Sequence, residues 1–424
     1  MLRRFTPIAW STDTNIYEVN IRQYTTEGTF QAFAQHLPRL ADMGVEVLWF
    51  MPITPISVAG RKGTMGSYYA CSDYTTTNAE FGTVADFKQL VQQAHEAGMK
   101  VIVDWVANHT GLDHVWTKTH PEYFKKDIDG KFYDTHGWDD VIDLNYYDQP
   151  MRQAMIDAMI FWVKECNIDG FRCDMAHLVP LDFWRQARTA LDQVKTLFWL
   201  AETEDIPYLD VFDTCYAWRW MHHTEKFSKG QLTLQALVDL LGLYRQQYPS
   251  GTCPLFFTAN HDENSWNGTE YEKYDGAVRP LAVFNATWFG IPLIYSGQEL
   301  PNLKRLKFFD KDPIEWTGTF QLHSFYQTLN RLRKQHPAIN TSKDTQPILL
   351  SSTEPDKVFF FMRQYEQRRL VVLLNFTAQP ISLQLMDERA TGIFINIFDH
   401  KTYSLALRQT IELQPWEYLV LNDQ

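Results

Sequence analysis

Between residues 16 and 296, short apolar runs rich in β-branched and aromatic residues alternate with longer stretches whose apolar positions recur every three or four residues. The runs are IYEVN (16–20), VEVLWF (45–50), VIVDW (101–105), GFRCD (170–174), LFWLAE (197–202), VFDTCY (211–216), LFFTAN (255–260) and IPLIYS (291–296). Runs of this length and composition read as strands. Stretches such as TFQAFAQHLPRLADMG and TVADFKQLVQQAHEAGMK, each with a glycine near its end, read as helices. Strands that alternate with helices pair in parallel through crossovers, and eight such units predict a closed (β/α)8 barrel of the α/β class. The gap between the fifth and sixth runs is too short for a full helix.

Two regions break this rhythm. The connection from Ala107 to Asp143 is long, polar and aromatic, which in a compact domain marks a functional loop or a small subdomain, expected here to protrude over the barrel mouth. After the helix-like FQLHSFYQTLNRLRKQHPAI come VFFFMRQY, RLVVLLNF, ISLQLMD, GIFINIFD and WEYLVLN with no helical period between them, an antiparallel β pattern. The predicted domains are a barrel over residues 1–345, its insert over 107–143 after the third strand, and a C-terminal antiparallel β domain over 346–424.

Composition narrows the partners. Hydrophobic residues at 45% and charged residues at 21% describe a globular chain. A net charge of -12 with no long Lys/Arg run argues against a nucleic-acid surface. Apolar runs such as VLWFM fall far short of the roughly 20 residues that span a bilayer, so no membrane partner is expected. The start MLRRFTPIAW carries no apolar stretch of signal-peptide length. The five cysteines (Cys71, Cys166, Cys173, Cys215 and Cys253) are odd in number and form no CxxC pair, which fits reduced thiols in the cytoplasm rather than disulfides or zinc. Fourteen tryptophans suit the stacking of sugar rings.

The strand ends carry the chemistry. In a parallel barrel the active site is built at the C-terminal ends of the strands, and there this chain places Asp104, Asn108 and His109, then Arg172 and Asp174, then Glu202, then Asn260, His261, Asp262 and Glu263. Alternation along GFRCD puts Arg172 and Asp174 on one face and Cys173 on the other. Three carboxylates at one mouth repel unless compensated; Arg172 favours an ionised Asp174, ready as a nucleophile, while a crowded second carboxyl keeps its proton and suits a general acid. That division of labour belongs to retaining glycoside hydrolysis. The chain has no HxH, HExxH, GxSxG, P-loop or GxGxxG, so metal-dependent hydrolysis, acyl transfer and nucleotide binding lose their signals.

In that order DWVANH, GFRCDMAH, AETED and FTANHDE also resemble the four conserved regions of the alpha-amylase superfamily, retaining alpha-glucoside hydrolases and transglycosylases. The resemblance covers nearly the whole chain and implies a (β/α)8 TIM barrel, an insert after the third strand and a C-terminal antiparallel β-sandwich. It implies that Asp174 is the nucleophile, Glu202 the general acid/base and Asp262 the stabiliser of the distorted sugar. Arg172, His109 and His261 would bind around that sugar, and Asp104 would sit among them in a more structural role. In GSYYACSDY, Tyr69 matches the tyrosine that stacks on the sugar better than its neighbour Tyr68. His177 and Leu178 stand where many alpha-amylases have Lys-His, so His177 would meet the leaving side of the substrate. Asn108 and Asp143 match calcium positions; capping of the helix-like QPMRQAMIDAMIFWV is the other reading of Asp143. The implied function needs no cofactor, with a structural calcium as an option. Trp105, Trp138, Trp184, Trp218 and Trp266 are candidates for sugar stacking, although burial in the wall is commoner for each. The expected reaction is cleavage of alpha-1,4 bonds in maltooligosaccharides or starch-like glucans. The alternatives are glycosyl transfer or alpha-1,6 or disaccharide cleavage with the same residues, and, remotely, a non-catalytic binding or transporter-associated subunit. Oligomeric state stays open.

Overall fold

The computed structural model describes residues 5–318, 320–343 and 345–423. Each of the eight predicted runs supplies one strand of a closed parallel barrel: β1 (Ile16–Val19), β2 (Val47–Phe50), β3 (Lys100–Trp105), β6 (Gly170–Cys173), β7 (Phe198–Ala201), β8 (Thr214–Tyr216), β9 (Cys253–Phe256) and β10 (Ile291–Tyr295). Alternate residues turn inward. Ile16, Val47, Ile102, Phe198, Leu255 and Leu293 fill the interior as one cluster, at about 1.5–3 kcal/mol per fully buried large side chain. The outward residues meet the helices in a larger cluster. Because every position of these strands is buried or nearly so, the runs are continuously apolar rather than alternating, as doubly covered parallel strands must be.

The helices follow their period and their caps. Thr83 starts the helix Val84–Glu96 with a capping box, its side chain bonded to the Asp86 N–H and Asp86 returning to the Thr83 backbone. The stretch TFQAFAQHLPRLADMG is two short helices rather than one, Phe30–Ala34 and Leu37–Asp42. Pro38 lies in the first turn of the second, where a missing N–H costs no hydrogen bond. Between the fifth and sixth barrel strands the connection is a 3-10 turn, Ile206–Asp210.

The insert is tied by β4 (His109–Gly111) pairing antiparallel with β5 (Val141–Asp143), which sets His109 opposite Asp143. Asp143 is therefore a strand residue. The helix Gln149–Cys166 that follows is capped by Asp148, which accepts from the Met151 N–H.

Beyond the barrel, β11 (Ile348–Leu349), β12 (Val358–Tyr365), β13 (Arg368–Asn375), β15 (Gly392–Asn396), β16 (Thr402–Leu405) and β18 (Tyr418–Asp423) form a six-stranded sheet. A second sheet pairs β14 (Ile381–Gln384) with β17 (Thr410–Leu413), and the two close on Phe360, Leu373, Leu383 and Leu413. The large sheet's other face, with Phe359, Phe361, Val372 and Val420, packs on Phe284, Trp288 and Leu329 of the barrel helices. Buried Arg363 crosses this junction to the Thr287 carbonyl, while buried Arg333 ties the helix His323–Gln335 to the barrel carbonyls of Thr14, Ala286 and Gly290. Among the described residues no helix is long and apolar enough to cross a membrane. The five cysteines are all buried.

Candidate active site

Strand register brings the polar ends together. Asp104 on β3 lies beside Arg172 on β6, Arg172 lies beside Leu200 on β7, and Glu202 follows two residues later. Arg172 is completely buried and acts as a hub: Nη1 lies 2.8 Å from Asp104 Oδ1 and 2.9 Å from Asp174 Oδ1. Nη2 lies 3.0 Å from Glu202 Oε2, an ion pair too oblique to count as a hydrogen bond. Nε donates to the Tyr216 hydroxyl at 3.2 Å, and the guanidinium sits 5.0 Å over Trp49. Each carboxylate is thus held from the strand before it is needed for chemistry.

A second chain of contacts runs from Asp104. Its Oδ2 accepts from the Trp49 indole N–H at 3.2 Å and from the Tyr69 hydroxyl at 3.1 Å. Tyr69 in turn meets His261 Nε2 at 2.7 Å, and that nitrogen is 3.2 Å from Asp262 Oδ2. On the ring's other side, Nδ1 lies 2.5 Å from Glu18 Oε1 on β1. The Tyr69 ring lies parallel to Phe308 and His261 at the mouth, whereas Tyr68 is buried with its hydroxyl on Asn20.

The bend after β6 is strained. Met175 has φ 39° and ψ 47°, a left-handed conformation that side chains adopt at a cost of about 1–3 kcal/mol. The strain aims its N–H at Glu202 Oε2, 2.8 Å away, and sets the two ends of adjacent strands in contact. His177, two residues on, is exposed and helps Met175, Glu202, Thr203, Glu204, Asp205 and Trp218 to line a cleft of about 310 Å³.

Burial and crowding set the protons. Desolvation pushes Asp104 and Asp174 up to about 6 and Glu202 up to about 7, against the pull of Arg172; neighbouring carboxylates add to the rise. Asp262 goes the other way: burial alone would raise it, but His261 draws it below the ordinary value. His261 is lifted well above 6.5 by Asp262 and Glu18 although burial opposes this. Burial brings His109 down to about 4, so its imidazole is neutral.

A thermodynamic consequence can be measured. A carboxyl raised from 4.5 to about 7 gives its full contribution to stability below pH 4.5 and loses it as pH rises through 7. Glu202→Gln should therefore be more stable than the parent at pH 8 and gain nothing at pH 4.5. Thermal denaturation at the two pH values checks this, and an equal gain at both would show that charge is not the cause.

The other predicted residues divide. His109 sits on the insert against Trp138 and Asn108. Trp105 and Trp184 are buried in the wall, Trp138 and Trp218 are half-buried, and Trp266 is 52% exposed against Phe308 and Phe309. Glu263 turns away from the cleft: it is buried on Lys273 and Asn267, and Asn260 accepts from its N–H. Glu18, Trp49, Tyr216 and Phe308 are the additions that sequence reasoning missed. Asp143 keeps one oxygen on Lys125, at 2.8 Å, and on Thr135; its other oxygen, Oδ1, is buried without a donor among the described residues. Asn108 turns its amide to His109. One open oxygen is a poor match to the roughly six to eight that calcium takes. Among the described residues no three His, Cys, Asp or Glu side chains are grouped to hold a metal.

Comparison with known proteins finds relatives over most of the chain. A family model described as "Alpha amylase, catalytic domain" matches residues 9–134 and 123–317, and one described as "Maltogenic Amylase, C-terminal domain" matches residues 349–420. The noncanonic maltogenic alpha-amylase of Thermotoga neapolitana is 32% identical, with a TM-score of 0.89 over 97% of this chain and 98% of that one. An alpha-amylase of Lactobacillus plantarum is 29% identical, with a TM-score of 0.86 over 97% of this chain and 99% of its own. The alpha-amylase of Haloarcula japonica is 27% identical over 89% of this chain, and a cyclomaltodextrinase of a Bacillus species is 26% identical over 82%. The chain spans 57% and 65% of the lengths of these two curated relatives. A catalytic-domain match across most of the barrel, together with a solved relative of the same fold at 32% identity, shows that the chain belongs to the alpha-amylase family.

Proposed function

We propose that the protein is a retaining glycosidase that cleaves alpha-1,4 bonds of maltooligosaccharides or starch-like glucans. One observation carries the reading: a single buried guanidinium holds Asp174 on one arm and Glu202 on the other. Sharing one guanidinium brings the two carboxyls to one point of the mouth, where a retaining mechanism needs its nucleophile beside its acid/base. Similarity to proteins named alpha-amylase, cyclomaltodextrinase and maltogenic alpha-amylase supports the substrate class.

In this mechanism Glu202 gives its proton to the glycosidic oxygen as the C–O bond breaks, and an Asp174 oxygen bonds to the anomeric carbon. Water then loses a proton to Glu202 and attacks the same carbon, which frees Asp174 and restores both groups. Asp262, kept ionised by His261, faces the positive charge that develops on the sugar. Arg172, Tyr69, His109 and His261 surround that sugar; His177 and Trp218 flank the leaving side. Every group in the sequence of steps is a side chain, so no cofactor is required. Five buried cysteine thiols support a cytoplasmic setting.

EDTA-treated protein should convert maltoheptaose to shorter maltooligosaccharides whose new ends are first seen as the α-anomer by proton NMR. A β-anomer would overturn the covalent route, and inactivity restored by calcium would return a metal to Asn108 and Asp143. Products longer than maltoheptaose would assign transfer to a sugar acceptor in the His177–Trp218 cleft.

A further inference from the structure

Glu18 is a buried acid of this site to which the reaction gives no task. It lies on β1, two residues above the inward-facing Ile16, in register with Trp49 and Tyr295, and it is wholly buried. Its Oε1 is 2.5 Å from His261 Nδ1, and its Oε2 is buried with no hydrogen-bond partner among the described residues. A carboxylate sunk in a barrel with half its acceptors unused is costly, and replacing a buried ion pair by packed apolar side chains is often neutral or stabilising. The retained charge points to a use elsewhere.

The use is found on the far side of the ring. His261 Nε2 faces Asp262 Oδ2 at 3.2 Å and the Tyr69 hydroxyl at 2.7 Å, so that nitrogen must carry a proton to serve the carboxylate. Tyr69 spends its own proton on Asp104. A neutral imidazole has one N–H, and Glu18 at 2.5 Å would claim it for Nδ1, leaving Nε2 as a bare acceptor against Asp262. Burial pushes Glu18 up and His261 pulls it back down; with Glu18 ionised, only the doubly protonated ring satisfies both sides. The charged and titratable groups around it are Glu18 on β1, Tyr69 after β2, Asp104 on β3, Arg172 on β6 and Asp262 beside it; the three carboxylates outnumber the one guanidinium.

We propose that Glu18 is a positioning residue of the reaction, acting through His261: it keeps the imidazole doubly protonated and aims Nε2–H at Asp262 and the Tyr69 hydroxyl. This rests on the role of Asp262 given above. The upward shift of His261, with Glu18 among its causes, agrees with it.

The test follows the imidazole itself in ¹⁵N-histidine NMR of the full chain, with His261 identified by its loss in His261→Gln. In the parent, His261 should remain imidazolium from about pH 6 to 8, beyond the ordinary histidine range near 6.5. Glu18→Gln should make it titrate within that window and lower kcat about tenfold, the equivalent of one lost pKa unit of interaction, with KM little changed. Glu18→Asp, which keeps the charge, should restore the imidazolium and part of kcat. A neutral His261 in the parent at pH 7 would overturn the inference without any variant, as would a Glu18→Gln protein with unchanged titration and kcat. The titration needs no sugar, so failure of the glycosidase reading would appear separately, as a parent protein without activity.

Discussion

Asp174→Asn is expected to release reducing sugar from maltoheptaose about 10⁵-fold more slowly than the parent, a loss typical of removing a covalent nucleophile. Asparagine is nearly isosteric, and its carbonyl oxygen can keep the 2.9 Å contact to Arg172. The fold and the neighbouring carboxyls should stay in place, so the variant separates loss of the nucleophile from loss of the site. Circular dichroism and thermal denaturation would verify the fold beside the rate. Undiminished activity would sink the assignment, because no other carboxylate shares that face of β6.

Arg172→Met should have the largest effect on stability. The side chain fits a buried slot of similar size, but it leaves Asp104, Asp174 and Glu202 without the cation that all three touch. Breaking a buried ion pair by removing one partner costs about 3–5 kcal/mol. The sign of the pH dependence is fixed. These carboxyls already bind protons more tightly folded than unfolded, and without the guanidinium they do so still more. The variant should therefore be weakest at pH 8 and recover toward pH 5, where its carboxyls are neutral. Urea unfolding at both pH values reads this directly, and equal destabilisation at both would mean that shape rather than charge was lost. Arg172→Lys keeps the charge but not the fork, and should retain the fold at pH 7 while losing most of the activity.

The sites of these changes were readable in the chain because barrel chemistry sits at strand ends and strand ends are easy to find. Arg172, Asp174, Glu202 and Asp262 announced themselves as charges closing apolar runs. Glu18 sends the same signal, two residues above Ile16 in IYEV, and was passed over because a lone acid near the start of a chain resembles a surface residue. Trp49 and Tyr216 escaped for the opposite reason: an aromatic at the end of an apolar run looks like more core, and only the partner of its N–H or O–H reveals otherwise. Met175 could not have been read, since left-handed backbone in a non-glycine residue is imposed by the contacts on either side of it. β16 and β17 were hidden by length: TYSL and TIEL carry strand-favouring residues, but four residues hold too few alternations to stand out without the partner strands. The break at Gln35 and His36 was legible in principle, because Pro38 needs a first turn.

The crowding of acids at the mouth has one more consequence, for what can enter it. Glu18, Asp104, Asp174, Glu202 and Asp262 stand against Arg172 and His261, and the proton on Glu202 relieves only part of the excess. A phosphorylated or oxidised sugar brings a further negative charge into this well, at about 1 kcal/mol or more for each like charge met within 4 Å. A neutral glucan enters without that toll. The ring of carboxyls that prepares the bond for cleavage also sorts its visitors by charge, before any hydrogen bond has read a hydroxyl.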